Sequence, residues 1–355
     1  MRFQSAFSKV TLVAVVLCLP VAAYAQQSSQ GQPIVTLSEP VRTTHYQEIM
    51  CPHCIVPNWD QDYLLHLEID KDPALVSMYD RDGNKMLEAH FKPPNAVSAS
   101  VGAAGATRSG GILAVGGTAM NNGSVRKFIA KTDPTGHVVE LITMGGAFTP
   151  RQICESPDGT IWVLGYDLEF RESPDANKNV LRHYSDKGMV ASFIAVDSIG
   201  SFPDSVSQIA NTGRSYLHCG QDRVSVYLGP AALYMEVDAS SGQLARWNVD
   251  MSSVVGSKTH GFAVTDEGRL FVAFANNPDP NGERKHGLYE LKATRGSTIA
   301  SLTAVDGTVT AFDSYKTVPV GTFLRLWGAD GNSLVVSRKG DDQGLSWVRV
   351  LGKEN

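Results

Sequence analysis

Residues 45–60 read HYQEIMCPHCIVPNWD and hold a Cys-Pro-His-Cys tetrapeptide, Cys51 to Cys54. Two cysteines two residues apart can exchange disulfides if the first is held as a thiolate. That requires a helix whose N-terminal amides lower its pKa. The flanks argue against this. RTTHYQEIM before Cys51 is polar and alternating, and Pro57 and Asn58 in IVPNWDQD oppose a continuing helix. The spacing also suits half of a zinc or copper site with His45 or His53 nearby, but no second CxxC completes it. The reading that remains is a structural Cys51–Cys54 disulfide closing a turn.

A second set of candidate residues comes from polar positions at the start of otherwise apolar strands. Arg151 and Gln152 in PRQIC fall level with Ser207 and Gln208 in VSQIA, and with His260 and Gly261 in THGFA; His45 stands in the matching place near the N-terminus. A ring of Arg151, Gln152, Gln208, His260 and His45 could hold a small anionic or polar ligand, or one divalent metal. The same groups could instead hydrogen-bond to waters and neighbouring carbonyls, as buried polar atoms do. The sequence names no cofactor and no metal ligand set, since the remaining histidines occur at no ligand spacing.

Positioning such a ring requires a repeating scaffold, and the glycines supply one. Turns at Gly83, Gly136, Gly188, Gly242 and Gly296 recur every 52 to 54 residues, and a second series at Gly110, Gly159, Gly213, Gly268 and Gly321 recurs every 49 to 55. Each glycine sits between β-rich runs, where a tight hairpin forces positive φ. Two hairpins per unit make four strands per unit, the blade of a β-propeller. Helical periodicity is nearly absent. The expectation is an all-β, six-bladed β-propeller with four antiparallel strands per blade. Its first unit has DYLLHLEI as second strand and ALVSMYDRDGNKMLEAHF as outer hairpin. Trp162, Phe271 and Trp327 are assigned to second strands as core, and Asp80–Asn84 is read as a turn rather than a calcium loop. How first and last blades join is left open.

The segments SPDGTIWVLG and DEGRLFVAFA resemble the turn-then-apolar-strand repeat of six-bladed propellers of the NHL and TolB-like group, over residues 43–351. The resemblance concerns architecture. Asp342–Trp347 also resembles an Asp-box, with Gly340 in place of its Ser or Thr; in propeller families that box is structural.

Arg2 and Lys9 precede the apolar run VTLVAVVLCLPVAA and the small-x-small triplet Ala23-Tyr24-Ala25. This reads as a signal peptide over 1–25, cleaved after Ala25, for a secreted or periplasmic protein. The run is shorter than a membrane span and is followed by polar QQSSQGQ. Leu17 before Cys18 does not suit a lipoprotein signal. Residues 26–42 are expected to form an N-terminal arm and 43–351 the propeller. Cleavage leaves 330 of 355 residues and takes the formal charge from −5 to −7. A mildly acidic chain without a basic stripe does not fit nucleic acid. Cys154 and Cys219 fall in neighbouring blades and read either as buried thiols or as an inter-blade disulfide.

Three functions fit this frame. One is a monomeric, exported binding module that meets a protein, glycan or small polar ligand at its channel mouth and loops. Another is a metal-dependent lactonase, esterase or lyase, for which the inner-strand starts supply few acids (Asp204 and Asp313 are nearest). A quinone-cofactor dehydrogenase has only His260 and Arg151 in its favour. For the Cys-Pro-His-Cys motif the expected outcome is definite. The oxidised mature protein does not catalyse insulin reduction; rapid catalysis lost in Cys51→Ser would show a redox enzyme instead.

Overall fold

The computed structural model describes residues 35–46, 55–68, 71–145, 148–167, 179–195, 199, 214–254, 257–276, 284–306, 310–312, 323–338 and 344–351. Its elements are β-strands with two short 3-10 turns. The ladders are antiparallel and four strands deep. The first is β2 (Ile55–Asp60), β3 (Tyr63–Glu68), β4 (Ala74–Tyr79) and β5 (Lys85–Phe91). The second is β6 (Ala96–Ala106), β7 (Ile112–Met120), β8 (Val125–Thr132) and β9 (Val138–Met144). The third is β10 (Phe148–Glu155), β11 (Ile161–Asp167), β12 (Asn179–Ser185) and β13 (Gly188–Ala195).

The rest form one 13-stranded sheet that contains further ladders of the same kind. β14 (Ser215–Cys219), β15 (Arg223–Leu228), β16 (Leu233–Asp238) and β17 (Leu244–Val249) pair in order. So do β18 (Ser257–Val264), β19 (Leu270–Asn276), β20 (Arg284–Ala293) and β21 (Ile299–Asp306), with short β22 (Thr310–Phe312) also on β20. The last ladder is β23 (Phe323–Asp330), β24 (Ser333–Arg338), β25 (Gly344–Leu351) and, from the other end of the chain, β1 (Val35–His45). Brief parallel contacts of β21 with β17 and β1 merge these ladders.

Burial explains the order. Middle strands such as ALVSMY of β4 and IWVLGYD of β11 are buried at every residue, so both their faces need cover. Each fully buried large apolar side chain contributes about 1.5–3 kcal/mol. Outer strands alternate, as in β5 and β9, and face solvent on one side. The cores therefore lie between ladders. Leu65, Val76 and Phe91 pack on Val101, Ile112 and Phe128; Leu113 and Val115 pack on Phe148 and Val163; Trp162 and Leu181 pack on Val224 and Met235. Tyr227 and Trp247 then meet Phe262 and Val272, Phe271 meets Leu326 and Leu334, and Val335 with Trp347 returns to Trp59 and Leu64 of the first ladder. Stacking that returns on itself makes a β-propeller. Every described glycine of the two sequence series has positive φ, from 69° at Gly242 to 110° at Gly188, as tight hairpins require.

Three expectations need correcting. The expected arm (residues 26–42) is, from Val35 onward, part of β1, paired with β25 from Thr36 opposite Leu351 to His45 opposite Gly344. That pairing answers how the ring closes. In the fourth ladder the inner strand is Ser215–Cys219, with its turn at Gly220–Asp222 rather than at Gly213. In the last ladder the first hairpin turns at Gly331, not Gly321, so Trp327 lies on an inner strand. The Cys-Pro-His-Cys motif, the Asp-box turn and Gly213 and Gly321 themselves lie outside the described residues. Cys154 and Cys219 form a disulfide joining β10 to β14. A crosslink closing 65 residues stabilises by about 4 kcal/mol in the chain-entropy model.

The seam between last and first ladders is polar as well as apolar. Thr44 donates to Arg81 O (2.6 Å), Tyr46 donates to Asp80 O (3.0 Å), and Arg42 pairs with Asp82 (2.8 Å). Arg81 in turn bridges Asp62 (2.7 Å) and Asp330 (2.9 Å), while the Trp347 indole donates to Asp330 (2.8 Å). The Asp330 side chain is only 6% exposed, so the loss of its cation is costly. Arg81→Met is expected to cost about 2 kcal/mol in chemical denaturation, and adding Asp330→Asn is expected to recover part of it.

Candidate functional site

The inner strands β2, β6, β10, β14, β18 and β23 surround a central cavity of about 880 Å³. It exists because the strands meet with small residues where large ones would fill it. Gly102, Ala103 and Ala104 of β6 and Gly328 of β23 lie in its wall. A Cβ placed on Gly102 would find nothing closer than 3.7 Å. The wall continues into the turns after the inner strands, through Asp62, Arg108, Asp222, Asp266 and Glu267.

Arg151 and Gln152, expected at the site, do line this cavity. Arg151 donates from Nη2 to the Tyr166 hydroxyl (2.8 Å) and lies over that ring at 5.3 Å. Its Nε is buried, with no hydrogen-bond partner among the described residues. Gln152 is committed elsewhere: its Nε2 donates to Ser215 O, and its Oε1 accepts the Leu217 N–H (2.6 Å). Both ends are held by β14, so Gln152 stitches the third ladder to the fourth. His260 is exposed on β18, at the bulge between Thr259 and Gly261, and is not part of the cavity wall. His45 is exposed on β1, the outermost strand of the last ladder, far from an inner strand. Gln208 lies outside the described residues. The described inner strand of that ladder is Ser215–Cys219.

The wall also holds candidate side chains that the repeat alignment missed. Arg325 on β23 lies over the Trp327 ring at 4.3 Å. Desolvation pulls its pKa below the ordinary guanidinium value, and Tyr216 interacts with it electrostatically. No carboxylate pairs with Arg325 among the described residues. Burial likewise raises the Tyr216 hydroxyl. His218, on β14, is pushed down to about 4 by desolvation and then by Arg108, so it is neutral near pH 7. Moving the last turn from Gly321 to Asp330–Gly331 would have exposed Arg325 and Trp327 as channel residues; the signal is the apolar run SLVVS directly after it.

Asp60 closes β2 and accepts the Ala106 N–H across the first interface (2.9 Å), while Gln61 donates to Ala106 O (3.2 Å). Next to it the Arg108 N–H donates to Glu155 (2.7 Å), and Glu155 is paired with Lys131. Desolvation raises Asp60 to about 6 from its ordinary 3.8, against two backbone hydrogen bonds and Arg108. Among the described residues no three His, Cys, Asp or Glu side chains converge to hold a metal ion. No helix among them is long and apolar enough to cross a membrane.

A raised carboxyl binds its proton more tightly in the folded state, so its contribution to stability is lost as pH rises from about 4 to about 6. Asp60→Asn removes that loss. The variant is expected to match wild type at pH 4 and to exceed it at pH 7.5 by up to about 3 kcal/mol, measured as urea midpoints at both pH values. A variant less stable at pH 7.5 would show that the Asp60 charge is compensated.

No protein-family model and no curated protein matches the chain. Among solved structures it is similar to a protein of Bacteroides fragilis NCTC 9343 described as exported, at 12% identity over 90% of this chain and 96% of that one, with a TM-score of 0.48. It is similar to the PQQ-bound aldose sugar dehydrogenase of Streptomyces coelicolor at 13% identity, over 90% and 99% of the two chains, with a TM-score of 0.45. It is also similar to the calcium-binding protein regucalcin of Agrobacterium tumefaciens C58 at 14% identity, over 85% and 91%, with a TM-score of 0.41.

Proposed function

We propose that the chain is an exported, monomeric six-bladed β-propeller of NHL or TolB-like character that binds a small polar ligand in its central channel. Export rests on the signal-peptide pattern of residues 1–25. The Cys154–Cys219 disulfide fits an oxidising compartment. Six units of about 53 residues account for the mature length, with β1 and β25 completing the sixth. A Cys51–Cys54 disulfide belongs to the same reading.

The observation that carries the binding role is the cavity. Its volume of about 880 Å³ falls in the range of small-molecule sites, and Arg151 stands in its wall with its guanidinium held by the Tyr166 hydroxyl. A metal-dependent lactonase, esterase or lyase is the second reading: a hard cation needs converging oxygen ligands, and the wall holds carboxylates such as Asp62, Asp222 and Glu267, yet among the described residues no three such side chains converge.

Gly102→Phe tests the role, because the added ring enters open cavity space. Thermal-shift screening of sugars, amino acids and organic acids should find compounds that raise the Tm of wild type and leave the variant unchanged. If no compound separates the two proteins, the channel is not the binding site.

A further inference from the structure

The charges in the cavity wall are sorted by height. The inner strands all end at one level, as the contacts between their last residues and turns show. Asp60 accepts the Ala106 N–H, Glu155 accepts the Arg108 N–H, and Arg108 Nη2 reaches Cys219 O at 3.5 Å. The Asp266 N–H donates to Gly331 O, and Arg81 bridges Asp62 to Asp330. The wall's carboxylates lie at this turn-side mouth: Asp60, Asp62, Asp222, Asp266 and Glu267, with Glu236 beside them opposite Ser225. Arg151 and Arg325 stand nearer the strand starts, four residues before Glu155 and five before Asp330. At a rise of about 3.3 Å per residue, about 13–16 Å separate the two levels.

Most of these charges already have partners. Arg223 pairs with Glu236 (3.1 Å) and Asp62 with Arg81 (2.7 Å), while Asp60 holds a backbone N–H. Glu267 accepts the Asn332 amide (2.7 Å), and Arg108 is engaged by Cys219 O. Among the described residues, Asp222 and Asp266 make no ion pair at the lower level, and Arg151 and Arg325 make none at the upper. Asp222 and Asp266 are exposed and the two arginines half-buried, so all four can be reached. A simple anion suits one level and is repelled at the other, and a simple cation fares the same in reverse. A molecule with a cation at one end and an anion at the other suits both.

The separation sets its length. An α-amino acid carries both charges on one carbon and cannot reach both levels. An extended peptide advances about 3.3–3.6 Å per residue, so about four residues span the distance. Between the levels β6 contributes Gly102, Ala103 and Ala104, so no large side chain of that strand stands in the path. We infer that the channel ligand is a linear peptide with free ends, about four residues long. Its ammonium group lies at Asp222 and Asp266, and its carboxylate at Arg325 and Arg151. This inference rests on the channel-binding reading above and narrows it to one ligand class. The two ends carry the recognition, so alanine peptides serve as probes.

The test uses the mature protein from Gln26 onward and isothermal titration with tetra-alanine, N-acetyl-tetra-alanine, tetra-alanine amide and alanine. Tetra-alanine is expected to bind most tightly. Blocking either end should weaken it by about tenfold, as loss of a charge-assisted pair does, and alanine should fall at least as far. Arg325→Met should lower the affinity for tetra-alanine to that for its amide and leave the amide unchanged. Asp222→Asn combined with Asp266→Asn should do the same relative to the acetylated peptide. Both positions are exposed in turns, so this variant carries the test if Arg325→Met fails to fold. Equal binding of free and end-blocked peptides, or alanine binding as tightly as tetra-alanine, overturns the inference. So does a variant at either end that weakens free and blocked peptides alike. If tetra-alanine does not bind the wild type, the peptide assignment is wrong. A compound from the wider screen that is lost in Gly102→Phe would then keep the channel as a binding site, and the absence of any such compound removes that reading too.

Discussion

A β-sheet with apolar side chains on both faces cannot stand alone in water, and the whole molecule follows from that. β4, β11 and their counterparts carry large hydrophobic residues at successive positions, so each ladder needs a neighbour on either side. A row of such ladders always leaves two naked faces at its ends. The row escapes this by curving until last meets first, and the core formed by Val335, Trp347, Trp59 and Leu64 is where it does so. Polar contacts at that seam, centred on Arg81, fix the register that the hydrophobic contact alone leaves loose.

The channel is a by-product of the same geometry. Inner strands arranged around an axis cannot all touch each other, and the small residues of β6 keep the centre open rather than plugged. Two uses are made of the polar groups that face it. Gln152, Asp60 and Gln61 turn sideways and tie adjacent ladders together through backbone atoms. Arg151, by contrast, leaves its Nε without a hydrogen-bond partner among the described residues, and Arg325 lies over the Trp327 ring. The division explains why polarity alone is a poor guide to a binding residue here.

Much of the architecture was legible because hairpin glycines obey a local rule. A turn that demands positive φ selects glycine regardless of its surroundings, and Gly83, Gly136 and Gly159 stand where the spacing puts them. The four-stranded unit, the core roles of Trp162 and Phe271, and the Asp80 turn were readable for the same reason. The site was less so. β14 turns through Gly220 and Asp222 and β23 through Gly331, and an alignment on Gly213 and Gly321 misplaces both inner strands. His45 went astray because a strand that closes a ring pairs with residues at the far end of the chain, and no local pattern records that. Arg151 and Gln152 stand on an inner strand in the cavity wall because their own unit keeps the regular spacing.

The pairing of β1 with β25 has a consequence for the time course of folding. β1 precedes the first ladder in the chain, and its partner β25 follows the strands of every other ladder. During synthesis each ladder from the first onward can pair its strands as they emerge. The final one cannot, because one of its strands precedes the first ladder and the other three follow the fifth. Until then the first ladder shows one apolar face to the surroundings and β1 has an unpaired edge. A chain in this condition stays open and loosely held at both ends. The ring thus becomes a finished object in one late step, when residues 344–351 slide in beside Val35–His45.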